Sequence, residues 1–174
     1  MDEVTYRLAT PDDAEALCAV ARECFLDTFG HLYRPHDLAG FLRDTYSPAL
    51  QRAQIEDPHQ RHQFAFDAAG KLIGFIGAGT LKLPVEAPIT PCIELRRLYL
   101  VRAWHGRGVA QELMRWCFDE AKAAGAVAMY LGVWRYNERA QRFYARYGFR
   151  KVGEYLFAVG EHRDEEDILE LRLG

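Results

Sequence analysis

Apolar residues recur along this chain with two different periods, and each change of period marks a new element. Val4 to Ala9 alternates as a first strand, and Thr10 then caps a helix starting at Pro11, with Asp12 and Asp13 in its first turn. Pro35 to Tyr46 reads as a second helix, and Ser47-Pro48 opens a third. Gln60 to Asp67 and Leu72 to Leu81 form a hairpin around Ala69-Gly70, followed by a proline-bearing loop from Lys82 to Pro91. A helix from about Gly108 to Ala124 carries Val109, Leu113, Trp116, Cys117 and Ala121 on one face, and Gly125 ends it. Ala126 to Trp134 is a near-continuous apolar run, the pattern of a parallel strand covered on both faces. Asn137 is an N-cap for another helix, which Gly148 closes. Arg150 to Gly160 and Glu166 to Leu173 read as a terminal antiparallel pair, with the charged stretch EHRDEE as the turn between them.

One strand breaks its own rhythm. Ile93 and Leu95 are apolar at odd positions, whereas Leu98 and Leu100 are apolar at even ones. A regular strand cannot bury both sets on one face. One extra residue near Arg96–Arg97, a β-bulge, reconciles them; a strand buried on both faces is the alternative. Strand, crossover helix and strand make a parallel, right-handed unit. If the first strand is bulged, the two strands splay and leave a slot with unpaired backbone groups.

The loop that follows, HGRGVA, bears on chemistry. Gly106 and Gly108 allow close approach of the main chain to an anion, Arg107 adds a positive side chain, and the helix start offers free N–H groups. A tight turn with a helix cap is the plainer reading. Val109 and Ala110 follow the last glycine where a nucleotide-hydrolysing P-loop has Lys-Ser or Lys-Thr, and Gln111 stands where a dinucleotide fingerprint has its third glycine. Asn137 and Tyr144, two helical turns apart, share a face; Tyr144 taken alone is one more packed aromatic.

HGRGVA resembles the Q/R-x-x-G-x-G/A motif of the GNAT N-acetyltransferases, and YLGVWRYNERAQRFYARYGF resembles their second motif. LRRLYLV is similar to their bulged fourth strand. The likeness runs from TYRLATPDDAEAL to DILELRL; His105 departs from it by standing at the usual Gln/Arg position. The resemblance implies a single N-acetyltransferase domain over residues 1–174, a mixed, mostly antiparallel α/β sheet with a central splayed parallel pair, and helices on both faces. It implies acetyl-CoA as donor. The diphosphate would lie on the amides of His105, Gly106, Arg107, Gly108, Val109, Ala110 and Gln111. The pantetheine arm would pair with Leu98, Tyr99 and Leu100. Asn137 would touch that arm or its water, and Tyr144 would face the sulfur.

The implied chemistry is direct attack of an amine on a thioester. An alkylammonium has a pKa of about 10.4, so only about one part in a thousand is neutral near pH 7.4. Glu94 is the candidate base, through water; a solvated charge beside Arg96 is its other reading. A backbone N–H freed near Tyr99 would stabilise the oxyanion. Tyr144 would return a proton to the thiolate. The acceptor pocket would be walled by ECFLDTFGHLY and EHRDEED, with Phe25, Phe29 and Tyr33 as an apolar slot and Asp27 attracting a cation; plain helix packing is the alternative. LDTF, LGVW-x-x-N and the last hairpin are similar to bacterial spermidine/spermine acetyltransferases, so a polyamine is the leading acceptor. Peptide N-termini, lysine side chains and aminoglycosides stay open. An acyl-CoA sensor on the same fold and a nucleotide-binding regulator are the rivals from other classes.

Composition adds bounds. The chain has 174 residues, 49% of them hydrophobic, enough for one core. A net charge of −3 argues against nucleic acid as a partner, and no apolar run approaches a membrane span. MDEVTYRLAT has no signal-peptide pattern, and Cys18, Cys24, Cys92 and Cys117 show neither metal nor disulfide spacing, so a cytoplasmic enzyme is expected. His59 and His62 lack partners for a metal site. The expected partner is a small amine, with a homodimer left open.

Overall fold

The computed structural model describes residues 3–174. Seven strands, β1 (Thr5–Leu8), β2 (Gln60–Phe66), β3 (Leu72–Gly79), β4 (Cys92–Leu100), β5 (Ala128–Trp134), β6 (Arg150–Val159) and β7 (His162–Arg172), form one sheet. Their order is β1-β2-β3-β4-β5-β7-β6, and β4–β5 is its one parallel pair. Helices α4 (Val109–Ala123) and α5 (Glu138–Ala145) cover one face. Helices α1 (Ala14–Phe29), α2 (Pro35–Thr45) and α3 (Pro48–Glu56) cover the other. This is the mixed α/β arrangement the sequence led us to expect.

Each face is built from its own apolar stripe. On α1, Ala14, Leu17, Cys18, Ala21, Cys24 and Phe25 recur at helical spacing and are buried against Phe64 and Phe75 of the sheet. On α4, Val109, Leu113, Met114, Cys117 and Ala121 do the same against Ile76, Met129 and Leu131. β5 contributes to both faces, which explains its unbroken apolar run. No helix among the described residues is long and apolar enough to cross a membrane.

The phase change in β4 is a bulge. Gly77 pairs with Arg97 and Ala78 with Leu95, so Arg96 is the extra residue. Beyond it the pair opens: β4 and β5 are joined only at Cys92–Ala128, Ile93–Met129 and Glu94–Tyr130.

Element ends differ from the expected ones by a residue or two in several places, and two differences change the picture. The first helix opens with a 3₁₀ turn, Pro11–Asp13, and turns α-helical only at Ala14. There Asp13 accepts hydrogen bonds from the Thr10 N–H and hydroxyl and from Arg7. The charged stretch EHRDEE is not a turn. Val159 pairs with His162, so the reversal is Gly160-Glu161 alone, and β7 begins four residues before the expected Glu166. Gly160 takes φ 59°, as a two-residue hairpin turn requires. The charges belong to a strand because both of its faces meet polar partners, which hides the alternation.

Candidate active site

The slot begins where the parallel pair parts. A cavity of about 500 Å³ runs from it to the start of α4, lined among others by Leu98, Leu100, Gly106, Ala110, Gln111 and Tyr144. Gly106 and Gly108 have φ of 77° and 86°, and nothing lies within 4 Å of where a side-chain carbon would stand on either. The glycines are therefore there for their backbone geometry, and the space before the loop is open. Gly108 caps α4 through backbone alone, leaving first-turn N–H groups toward that space. An elongated ligand with a diphosphate end fits this arrangement.

His105 holds the loop to both neighbours. Leu100's carbonyl can only accept and Arg139's guanidinium can only donate, so the ring is neutral, with the proton on Nε2. Nε2 donates to Leu100 O at 2.8 Å, and Nδ1 accepts from Arg139. Burial pushes the His105 pKa down and the Arg139 and Arg102 charges push the same way, while the Leu100 bond opposes them. The departure from the family pattern is thus a bracket between β4 and α5. Arg107 lies over the Trp104 ring, 5.2 Å from its centre, and Val109 is core.

A second cavity, of about 300 Å³, opens on the α1–α2 side of the sheet. Phe29, Leu98, Tyr99, Asn137, Ala140 and Tyr144 line both cavities. Asn137 caps α5, its side-chain oxygen accepting from the Ala140 N–H at 3.1 Å. That cap fixes the start of a helix whose Tyr144 is buried where the two spaces meet. Burial, then the neighbouring Cys117 and Tyr147, hold the Tyr144 phenol well above its ordinary pKa, so it stays protonated at neutral pH.

The sequence-derived acceptor residues divide. Phe25, Phe29 and Tyr33 line the second cavity. Asp27 does not: it is exposed and lines a separate hollow beside Arg102 and His105. Two residues on a helix are about 200° apart, so Asp27 faces away from both Phe25 and Phe29. Glu94 also lies elsewhere. It is buried at the closed end of the parallel pair and lines neither cavity. Its Oε2 accepts from the backbone N–H groups of Lys82 at 2.5 Å and Leu83 at 3.0 Å, tying down the loop before β4. The other reading, a solvated charge beside Arg96, does not describe it either, since Glu94 is buried and the Arg96 guanidinium donates to Thr80 O.

Several residues at the site escaped the sequence reading. Cys24, Thr28, Phe143, Arg139 and Arg146 line the first cavity. Trp134, Tyr155 and Glu166 line the second. Trp134 and Tyr155 both pair with Glu166 across the sheet, and no local pattern in a sequence reveals a three-strand row. Cys24 and Cys117 are buried thiols pushed up to about 12, unsuited to nucleophilic work. Among the described residues, no group of three or more His, Cys, Asp or Glu could hold a metal ion.

A mixed sheet with its parallel pair split over a glycine loop defines a class, the N-acetyltransferase scaffold. The chain belongs to the acetyltransferase (GNAT) family, whose model matches residues 16–149. An uncharacterised N-acetyltransferase of Lactobacillus delbrueckii subsp. lactis is 31% identical, over 92% of each chain. One of Mycobacterium bovis is 30% identical, over 90% of this chain and 96% of that one. In fold, the chain is similar to the PaiA N-acetyltransferase of Thermoplasma acidophilum, crystallised with coenzyme A, at a TM-score of 0.78 and 24% identity, over 98% of this chain and 99% of that one.

Proposed function

We propose that this enzyme transfers an acetyl group from acetyl-CoA to a small primary amine by direct attack, without a covalent enzyme intermediate. The observation that carries the reading is the meeting of two cavities at Tyr144, through the gap between β4 and β5. One cavity has the length and glycine-loop end suited to the donor; the other has the aromatic walls suited to an acceptor. The donor supplies an activated acyl carbon. Leu98, Tyr99 and Leu100 offer it a strand edge, the loop from His105 to Gln111 holds its diphosphate, and Asn137 lies beside its arm.

Tyr144 is the proton donor to the departing thiolate. Burial of the phenol favours its neutral, donating form. The oxyanion is met by a backbone N–H at the open edge near Tyr99. Glu94 is assigned to anchoring the Lys82–Leu83 loop. A polyamine such as spermidine satisfies the requirement for a primary amine. Arg96 and Arg97 on the acceptor wall speak against a long polycation and for an amine with an uncharged body. The four free cysteines fit a reducing, cytoplasmic setting.

A panel of primary amines, spermidine included, assayed for free thiol from acetyl-CoA tests the reading. At least one amine is expected to release thiol and gain an acetyl mass. Tyr144→Phe is expected to lower turnover about a hundredfold or more while the CoA dissociation constant changes little. Thiol release at the wild-type rate in that variant would remove Tyr144 from its role.

A further inference from the structure

We propose that Glu166 takes the proton from the acceptor's ammonium group, and that the aromatic cavity it faces receives that ammonium. This rests on the acetyltransferase reading above and specifies the base and acceptor class of the same site.

Trp134 of β5, Glu166 of β7 and Tyr155 of β6 are register partners, so their side chains stand abreast on one face of the sheet. All three line the second cavity, with Phe29, Tyr33 and Tyr144. Phe29 meets Trp134 edge-on with ring centres 5.9 Å apart. A cation in this space has aromatic faces and one carboxylate to meet.

The other acidic side chains nearby are already engaged. Asp164 accepts from the Tyr33 hydroxyl and from His162 at 3.0 Å. Glu165 is held by Arg135 and Tyr136, and Asp167 by Arg135 and Lys151. Glu94 is held by loop amides. Among the described residues, the Glu166 side chain has no hydrogen bond or ion pair; burial and the charges of Asp164 and Asp167 act on it, and it lies within electrostatic reach of Tyr33 and Tyr155. The other titratable or charged residues lining the cavity are Tyr33, Tyr46, Tyr99, Tyr144 and Tyr155, with Arg96 and Arg97, whose guanidinium groups donate to Thr80 O and to Gln51 and Gln54. Burial first, then those two aspartates, raise its pKa from 4.5 to about 8. An ordinary carboxylate is nearly six powers of ten too weak to deprotonate an alkylammonium near 10.4; at about 8 the gap narrows to between two and three.

One N–H proton of the ammonium passes to a Glu166 oxygen, and the freed nitrogen pair attacks the thioester carbonyl carbon. As the C–N bond forms and the C–S bond breaks, the nitrogen loses a second proton and the thiolate gains one from the Tyr144 hydroxyl, which that second proton replenishes. Glu166 returns its proton to water, so each turnover yields amide, thiol and one proton.

The test compares the wild-type chain with Glu166→Gln, Glu166→Asp and Glu94→Gln, using the same amine panel. In the wild type, kcat/KM for the acceptor is expected to rise with pH through about 8, because Glu166 must lose its proton before it can accept one. In Glu166→Gln it is expected to fall about a hundredfold at pH 7, to lose the limb near 8, and to keep its CoA affinity. Glu166→Asp should recover part of the rate. Carboxyl carbon resonances of the ligand-free protein give a readout independent of turnover: one group should titrate near 8 and vanish in Glu166→Gln alone. Wild-type kinetics in Glu166→Gln, or loss of the limb in Glu94→Gln instead, overturns the assignment and leaves the acetyltransferase reading intact. If the wild type acetylates no amine, both readings fall together.

Discussion

At the scale of single residues, the acceptor cavity depends on an absent side chain. Gly132 lies on its wall, and a carbon built there would stand 2.5 Å from the Tyr155 hydroxyl and 3.2 Å from its ring. The position needs no left-handed backbone, so space is what glycine provides here. Gly132→Ala must push the Tyr155 ring out of its row with Glu166. We expect the acceptor KM to rise about tenfold and stability to fall by about 1–3 kcal/mol, as overpacking of a tight site does. CoA affinity should hold, since Gly132 does not line the donor cavity. An unchanged acceptor KM would place the amine somewhere other than beside Tyr155. His105 illustrates the opposite situation. There a residue unlike its family's usual one keeps the loop in place by using both ring nitrogens at once.

At the scale of elements, the β4 bulge decides whether a donor site exists. Arg96 is the surplus residue that turns β4 away from β5. Removing it should restore an even ladder with β3 and let the parallel pair close further along. The expected result for an Arg96 deletion is at least a tenfold loss of CoA affinity by calorimetry, with far-ultraviolet circular dichroism retained. Wild-type affinity in the deletion would mean that the slot does not depend on the bulge. This element was legible in the sequence, because a shift from odd to even apolar positions has few physical solutions. The glycine loop, the α5 cap at Asn137 and the packed Tyr144 were legible for the same reason: each is set by residues close in the chain. The start of β7 was not. His162 to Asp167 carries charge on both faces, with Asp167 meeting Arg135 and Lys151 on one side and Asp164 meeting Tyr33 on the other. Alternation therefore vanishes from the sequence, and with it went Glu166, whose neighbours come from three distant segments.

At the scale of the whole molecule, two half-hidden titrations oppose each other. His62 is buried against Gly77 with its Nδ1 unpaired, and burial, then the charges of Arg97 and Arg96, lower its pKa from 6.5 to about 4. A depressed folded pKa gives stability that is complete above 6.5 and is lost as pH falls through that window to about 4. The full effect is roughly 3 kcal/mol. Glu166 has the opposite sign. Its folded pKa is raised, so its stabilising contribution is complete below 4.5 and is lost as pH rises toward about 8. Between 4.5 and 6.5 the unfolded chain holds an extra proton on His62 and the folded chain holds one on Glu166, so those two slopes cancel, and the lowered pKa of His105 adds a rise just below 6.5. Thermal unfolding of the wild type should therefore show a nearly level midpoint across that interval and a decline from 6.5 to 8. In Glu166→Gln the decline should disappear, the midpoint should climb from 4.5 to 6.5, and the unfolding free energy should rise there by at least about 1.4 kcal/mol per pH unit. In His62→Leu the decline should begin already near 4.5. Asp13, held down to about 2 chiefly by Arg7, enters only below 3.8 and leaves this window untouched. A wild-type midpoint that climbs from 4.5 to 6.5 and then stays level to 8 would show that Glu166 ionises freely in the folded enzyme, and a freely ionising carboxylate there could not be matched to an amine.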